Sequence, residues 1–394
     1  FRHRDSYSSL ILKRRDVMQE THGGNIYALS EKLRLNEKNI IDFSASINPL
    51  GIPESVNSAI KDNIKYLYNY PDPDAKRLRL QIAKHHKINP ESIICGNGST
   101  ELIYLVASAL RPERVLIPAP TFSEYERACE ISCKLRVESY QLKQENDFDI
   151  DPDKFIQKMK GCDVAFLCNP NNPTGRALKK ADVIKIADAS KKLKCYLIVD
   201  EAFIDFCPDE SVMTEVQHNP YLIVLRSLTK FYALSGLRVG YGVFPLNITE
   251  TIKKHKEPWT VNTLAQRAGI AAFKDVAYKK KTFRVIKQEK DFLEKKFKRL
   301  KISYIPSEAN YYLLRLNNAK EIMSALRNKG ILVRDCSNFK GLDGKYIRIA
   351  VKSRKDNMRL LKELSNFSKN CHPKFISGSQ KMLKQVQHDK TGRI

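Results

Sequence analysis

A lysine that ends an apolar run needs a reason to be there. Lys230 closes Ser227-Leu228-Thr229-Lys230, one residue beyond the run Tyr221-Leu222-Ile223-Val224-Leu225. Arg238 follows eight residues later, in Ser235-Gly236-Leu237-Arg238-Val239-Gly240-Tyr241. A partly desolvated ε-amine is nucleophilic and can hold a carbonyl compound as a Schiff base. The hydroxyl of Ser227 and the guanidinium of Arg238 would suit a phosphate on that compound. A solvated strand end is the ordinary alternative, so the rest of the chain must decide.

Three more polar constellations stand at the ends of short apolar runs. Asn169-Pro170-Asn171-Asn172-Pro173-Thr174-Gly175 follows Val164-Ala165-Phe166-Leu167-Cys168, and Asp200-Glu201-Ala202-Phe203 follows Tyr196-Leu197-Ile198-Val199. Gly96-Asn97-Gly98-Ser99-Thr100-Glu101 follows Ile93-Ile94-Cys95 and opens a helical pattern through Leu102-Ile103-Tyr104-Leu105-Val106. Short buried runs alternating with helical patterns predict a mostly parallel sheet covered on both faces. In such a sheet the carboxyl ends of the strands form the ligand-binding edge. A nicotinamide-binding turn would need G-x-G-x-x-G, and Gly96-x-Gly98 has no third glycine.

Taken in order, the glycine-serine-threonine turn, NPTG, DEA, SxTK and GLRxGY resemble a fold-type-I pyridoxal-phosphate enzyme of the aminotransferase class I/II superfamily, from about His22 to about Phe367. The resemblance implies a large domain with a mostly parallel central sheet and a smaller C-terminal α/β domain. It implies pyridoxal 5′-phosphate, with Lys230 as its covalent anchor and proton carrier and Asp200 opposite the ring nitrogen. Asn172 would meet the ring's 3′-oxygen, and Phe122, in Pro120-Thr121-Phe122, would stack on the ring or else be a core residue. Gly98, Ser99 and Thr100 would bind the phosphate at a helix N-terminus, where free N–H groups and the dipole favour anions. Ser227 and Arg238 would complete that site. Tyr70, in Tyr70-Pro71-Asp72-Pro73, would reach the phosphate of a neighbouring subunit, making the enzyme a homodimer; a tyrosine before a turn is the plain alternative. Arg348, in Tyr346-Ile347-Arg348-Ile349-Ala350, would bind a substrate carboxylate, since an arginine inside an apolar strand is costly unless paired. Arg334 would be a second anion contact, with Asp335 as its competing neighbour.

Within the superfamily, His22-Gly23-Gly24-Asn25, Asp42-Phe43-Ser44-Ala45-Ser46-Ile47-Asn48-Pro49-Leu50-Gly51, Pro258-Trp259-Thr260-Val261-Asn262-Thr263-Leu264-Ala265-Gln266 and Val333 to Leu342 resemble the L-threonine-O-3-phosphate decarboxylases of cobalamin biosynthesis. That resemblance adds His22 to the substrate-binding set with Asn172, Arg334 and Arg348, and a small phosphorylated amino acid as substrate. Histidinol-phosphate aminotransferases share YPDP, NPTG and GLR and remain the alternative. They usually carry tyrosine where this chain has Phe203, which removes a hydrogen-bond donor from the ring's 3′-oxygen and implies a higher pKa for the lysine–cofactor link.

The composition narrows the rest. The 394 residues carry a formal charge of +25, which invites a nucleic-acid reading. Much of the excess lies at the two ends and on helices such as Lys279 to Lys301, where Phe283, Ile286, Leu293, Phe297 and Leu300 recur at helical spacing and leave lysines on a solvated face. With no DNA-binding module preceding the catalytic region, we expect no nucleic-acid partner; a transcription regulator would need one, and an inactive homologue would have lost Lys230 or Asp200. No run approaches the roughly 18 apolar residues of a membrane span. The nine cysteines contain no CxxC pair, and Cys129 and Cys133 lie one helical turn apart. Reduced thiols, no metal site and a cytoplasmic location are expected. Residues 1–17 read as a disordered extension foreign to the family, with Met18 as a natural start. Residues 18–55 read as an N-terminal segment, 56–265 as the cofactor-binding domain and 266–368 as the small domain. Residues 369–394 read as a basic tail outside the family, with a short helix over Gln380 to His388.

Overall fold

The structure is a computed structural model that describes residues 22–132 and 136–370. The expectations for residues 1–17, Met18, Cys133 and 371–394 lie outside these residues. A short strand, β1 (Ile41–Asp42), follows the N-terminal helix Ile26–Leu33. Then come β2 (Ile93–Gly96), β3 (Arg114–Ala119), β4 (Arg136–Gln141), β5 (Val164–Cys168), β6 (Tyr196–Asp200), β7 (Leu222–Ser227) and β8 (Gly240–Val243). They form one seven-stranded sheet in the order β2-β8-β7-β6-β5-β3-β4.

Within this sheet β8 pairs antiparallel with both β2 and β7, and the remaining ladders are parallel. The carboxyl ends of β2, β5, β6 and β7 therefore share one edge, and the turn that enters β8 begins at the same edge. The four apolar runs thus become strands; β2, β5 and β6 end within a residue of the expected end and β7 runs two residues further, to Ser227. All five residues of β5 are buried, as expected for a strand covered on both faces. Helices supply the cover: Lys180–Leu193 buries Val183, Ile186, Ala187 and Ser190, one stripe at helical spacing.

The C-terminal part carries β9 (Ser303–Tyr304), β10 (Tyr311–Arg315), β11 (Ile331–Leu332), β12 (Arg334–Asp335) and β13 (Tyr346–Ala350). Four of them form an antiparallel sheet, β12-β13-β10-β9, while β11 pairs in parallel with β1. The N-terminal arm is thereby joined to the C-terminal body, and Phe43 sits in its core beside Ile347, Ile349 and Leu360.

The helix Val276–Leu300 links the two cores. Its Tyr278 belongs to the core around β5–β8, and its Ile286, Leu293 and Phe297 belong to the C-terminal core. The expected stripe is present, although Phe283 and Leu300 are only partly buried. Thr282 and Glu289 occupy buried positions instead. Each has a polar partner: Thr282 accepts from Asn48 at 2.9 Å, and Glu289 accepts from Asn357 at 2.9 Å. The preceding helix, Thr263–Lys274, packs Ala265, Ala268, Ala272 and Phe273 into the first core. The last helix runs Arg354–Asn370. Among the described residues, no helix is long and apolar enough to cross a membrane.

Behind the binding edge lies a buried charge cluster. Arg226 on β7 donates to Glu201 at 2.8 Å and to Asp205 at 2.5 Å. Glu201 also accepts from Ser211 Oγ at 2.7 Å and Val212 N at 2.8 Å. Neighbouring residues of a strand face opposite sides. Asp200 and Ser227 therefore enter the binding cavity, while Glu201 and Arg226 turn away and clamp β6 to β7. Removing one partner of a buried pair leaves an uncompensated charge and costs about 3–5 kcal/mol. Arg226→Leu is expected to lose stability of that order in urea unfolding. A loss smaller than about 1 kcal/mol would show that the clamp holds nothing.

Candidate active site

At the shared strand edge the two bodies enclose a cavity of about 450 Å³. Its walls carry His22, Ser99, Thr100, Phe122, Asn172, Asp200, Ser227, Lys230, Arg238, Arg334 and Arg348. Of the site residues expected from sequence, only Gly98 and Tyr70 are absent from its walls. Gly98 lies directly behind one of them.

Lys230 follows β7 by three residues, and its backbone carbonyl accepts from Asn48 N at 3.1 Å. Its ammonium lies 5.9 Å from the centre of the Phe203 ring. Desolvation, reinforced by Arg348 and Arg238, pushes its pKa down to about 8. At pH 7 roughly a tenth of the amine is therefore neutral, against fewer than one in a thousand for an ordinary lysine. The lysine expected from the sequence thus sits where its amine is more readily deprotonated than an ordinary one.

Asp200, at the end of β6, is 3% exposed. Burial raises its pKa to about 6, opposed by hydrogen bonds from Tyr125 Oη at 2.8 Å and Ala202 N at 3.0 Å. A buried carboxylate under that strain favours a cation beside it. Tyr125 was not anticipated from the sequence. It stacks on Phe166 at 4.8 Å and packs edge-on against Phe122 at 5.6 Å. Its position three residues beyond Phe122, in the first turn of the helix Glu124–Ser132, was the available signal.

Backbone and side chains together build the basic cradle at the start of one helix. Helix Gly98–Leu110 starts without a side-chain cap, so its first N–H groups are free to meet an anion. Gly98 has φ +77°, and a Cβ there would come within 2.5 Å of the Arg238 guanidinium. Only glycine lets Arg238 approach the helix end so closely. Ser227 Oγ and Thr229 Oγ1 share a hydrogen bond of 2.7 Å beside it; Thr229 is a further wall residue that spacing did not single out.

Three asparagines in the Asn-Pro-rich turn divide their work. Asn169 Oδ1 accepts from Leu178 N at 2.8 Å, and Asn171 accepts from Thr121 Oγ1 at 2.7 Å. Asn172 faces the cavity and accepts from Arg348 Nη1.

The two arginines of the C-terminal sheet are direct cross-strand partners, Arg334 on β12 opposite Arg348 on β13. They are 6% and 7% exposed. Like charges opposite one another on adjacent strands are destabilising. Asp335, the sequence rival for Arg334, accepts instead from Ser337 N at 2.8 Å. Arg348 Nη2 donates to Ser44 O at 2.9 Å, and its Nε is buried without a hydrogen-bond partner. Paired guanidiniums held this way fit an anionic guest. The basic cradle, the desolvated lysine and the buried carboxylate together fit pyridoxal phosphate.

Tyr70 is 82% exposed, its ring 5.1 Å from Trp259. The structure does not bring it to the cavity of its own chain. Phe203 lies in the wall, edge-on to Tyr311 at 4.9 Å.

Comparison with known proteins agrees with this geometry. Residues 38–364 match the model of the family described as aminotransferase class I and II. The chain belongs to that family, whose members depend on pyridoxal phosphate. It is similar to a threonine-phosphate decarboxylase of Salmonella typhimurium strain LT2, 38% identical over 355 residues, covering 89% of this chain and 97% of the relative. Among solved structures it resembles the L-threonine-O-3-phosphate decarboxylase of Porphyromonas gingivalis, with TM-score 0.75, 28% identity, and 84% of this chain matched to 100% of that one. It also resembles the histidinol-phosphate aminotransferase of Clostridium acetobutylicum, with TM-score 0.79, 33% identity and the same coverage of 84% and 100%.

Only the neutral amine of Lys230 captures an aldehyde. Cofactor uptake by the cofactor-free protein is therefore expected to accelerate with pH through a midpoint near 8. Arg348→Met removes a neighbouring positive charge and should move that midpoint upward. Stopped-flow absorbance measures both; a midpoint near the ordinary lysine value in the wild type would contradict the desolvation argument.

Proposed function

We propose that the protein uses pyridoxal 5′-phosphate to decarboxylate L-threonine O-3-phosphate. The products are (R)-1-amino-2-propanol O-2-phosphate and CO2, for the aminopropanol arm of cobalamin biosynthesis. The observation that carries this reading is the cross-strand pair Arg334–Arg348, set in one cavity with His22 and Lys230. A substrate with a carboxylate and a phosphate offers an anion to each side of such a site. The similarity to the Salmonella decarboxylase across nearly its whole length supports the same substrate.

Bound in the cavity, pyridoxal phosphate supplies a cationic conjugated ring that accepts the electron pair left at Cα when a bond there breaks. Gly98, Ser99 and Thr100, with Ser227 and Arg238, would hold its phosphate. Phe122 would lie against the ring, Asn172 would meet the 3′-oxygen, Asp200 would hold the ring nitrogen positive, and Lys230 would carry the group covalently. His22, Asn172, Arg334 and Arg348 would then hold the substrate's two anions so that the carboxylate, rather than the Cα–H, is the group placed to leave. The C–C bond to the carboxylate would break with loss of CO2, and Lys230 would deliver the proton that forms the new C–H bond. A group with a pKa of about 8 suits donation near neutral pH.

The cofactor residues would belong to a domain of about residues 56–265, and the substrate anions would be met from the arm and from a domain of about 266–368. Helix Thr263–Lys274 crosses that boundary to pack into the first core. Exposed Ile64, Tyr66, Leu67, Tyr68, Tyr70 and Leu80, with Trp259, gather apolar surface in one stretch of chain. Such a patch supports a homodimer in which Tyr70 reaches the partner's phosphate. None of the seven described cysteines forms a disulfide, which supports a cytoplasmic location.

With O-phosphothreonine the holoenzyme should release one CO2 per 1-amino-2-propanol phosphate formed. Arg334→Met and Arg348→Met should each lower kcat/KM by roughly 10- to 100-fold, the weight of a charged hydrogen bond. Keto-acid formation that depends on 2-oxoglutarate, without CO2 release, would assign the protein to the aminotransferases instead.

A further inference from the structure

Glu124 is out of place in a cavity that collects anions. It lines the same walls as Arg334 and Arg348, yet it is a carboxylate only 6% exposed. It opens the helix Glu124–Ser132, an end where the dipole tolerates negative charge. Its two oxygens are divided between two partners. Oε1 lies 3.0 Å from His22 Nε2, and Oε2 accepts from Tyr104 Oη at 2.7 Å. Arg127 Nη1 stands 3.8 Å from Oε1. Burial pushes the Glu124 carboxyl up, but the bonds from His22 and Tyr104 outweigh it and hold the group below the usual carboxylate range. Glu124 is therefore a fixed anion, turned toward two donors.

His22 begins the described chain and has no strand or helix of its own to position it. Its arm is tied at one other place: Gly24 N donates to Ser44 Oγ at 2.7 Å, and Ser44 Oγ donates to Asp42 at 2.6 Å. A Cβ on Gly23 would lie 2.5 Å from Ser44 O, the carbonyl that also receives Arg348. The arm thus lies against the anchor of one substrate-binding arginine, and its histidine reaches across to a residue of the large body. The side chain of His22 is 46% exposed, so packing alone does not hold it.

We infer that Glu124 is a positioning residue for substrate selection, fixing His22 over the cavity so that the ring meets the second anion of the substrate, a phosphate monoester. With Nε2 engaged by Glu124, Nδ1 is the ring atom left for the substrate. It donates to a phosphate as imidazolium, or accepts from a protonated phosphate as neutral imidazole. Tyr104 locks the carboxylate from the other side. The anion-binding set then has an internal counter-charge that orients one member without occupying the paired arginines. The inference rests on the decarboxylase reading above and deepens it: the enzyme would distinguish a phosphorylated amino acid from its unphosphorylated form through His22 as held by Glu124.

The test is steady-state decarboxylation by the holoenzyme. Glu124→Gln should raise KM for O-phosphothreonine by roughly 10-fold or more, with kcat changed by no more than about 3-fold. Tyr104→Phe, which removes one hydrogen bond to Glu124 and nothing else, should raise KM by a smaller factor and serves if Glu124→Gln does not fold. His22→Gln should match Glu124→Gln, and the double variant should be no worse than His22→Gln alone, because the two act as one unit. An unchanged KM in Glu124→Gln, an unchanged KM in Tyr104→Phe, or multiplicative losses in the double variant would overturn the inference. If the wild type releases no CO2, the functional reading has failed by itself. Calorimetric binding of inorganic phosphate to the holoenzyme then decides the inference separately: affinity weakened roughly 10-fold in Glu124→Gln supports it, and equal affinity overturns it.

Discussion

Charge held away from water is the constraint on which this molecule depends. Lys230, Arg238, Arg334 and Arg348 line one cavity with only Asp200 and Glu124 as carboxylates among its walls. Arg334 and Arg348 are buried, Lys230 is partly so and Arg238 stands at the exposed rim. Cations withdrawn from water repel one another and lose hydration, at several kcal/mol for a fully buried unbalanced ion. Their effect on each other is visible in Lys230, whose proton is loosened first by desolvation and then by Arg348 and Arg238. A guest carrying a phosphate, and a second guest carrying two anions, would relieve the imbalance. The same excess that is unfavourable in isolation would favour binding of such guests.

The scaffold supports this charge by dividing it. The large sheet ends four parallel strands at one edge and aims the cofactor-type residues from there. The antiparallel sheet of the C-terminal body contributes the arginine pair. Asn48 ties the pieces together: its backbone N–H reaches Lys230 O at 3.1 Å, and its amide reaches Phe231 O at 2.8 Å and Thr282 Oγ1 at 2.9 Å. One buried asparagine thereby joins the arm, the lysine loop and the helix that links both cores. Behind the sheet, the Arg226–Glu201 pair holds β6 against β7, and so fixes the spacing between Asp200 and Ser227.

Much of this was legible from residue order. Apolar runs ending in polar turns marked β2, β5, β6 and β7, because a strand buried on both faces has little choice of composition. Lysine, aspartate and the glycine turn were recognisable because their chemistry requires particular residue types at strand ends. What stayed hidden depends on contacts across the chain. Nothing local shows that Arg334 would face Arg348, since that is a matter of register between β12 and β13. The sequence offered three asparagines in one turn, and only the folded loop shows that Asn169 and Asn171 shape it while Asn172 enters the cavity. Tyr125 and Glu124 were not anticipated. Their importance comes from Asp200, 75 residues away from Tyr125, and from His22, 102 residues away from Glu124.

The central claim is a covalent one: the activated amine at the end of β7 carries the coenzyme. Borohydride reduction of the protein with added pyridoxal phosphate, followed by peptide mass mapping, tests it most directly. The account predicts a single pyridoxyl mass increment on the peptide containing Lys230, and its loss in Lys230→Ala. A reduced protein with no increment, or with the label scattered over surface lysines while Lys230 stays unmodified, would contradict it.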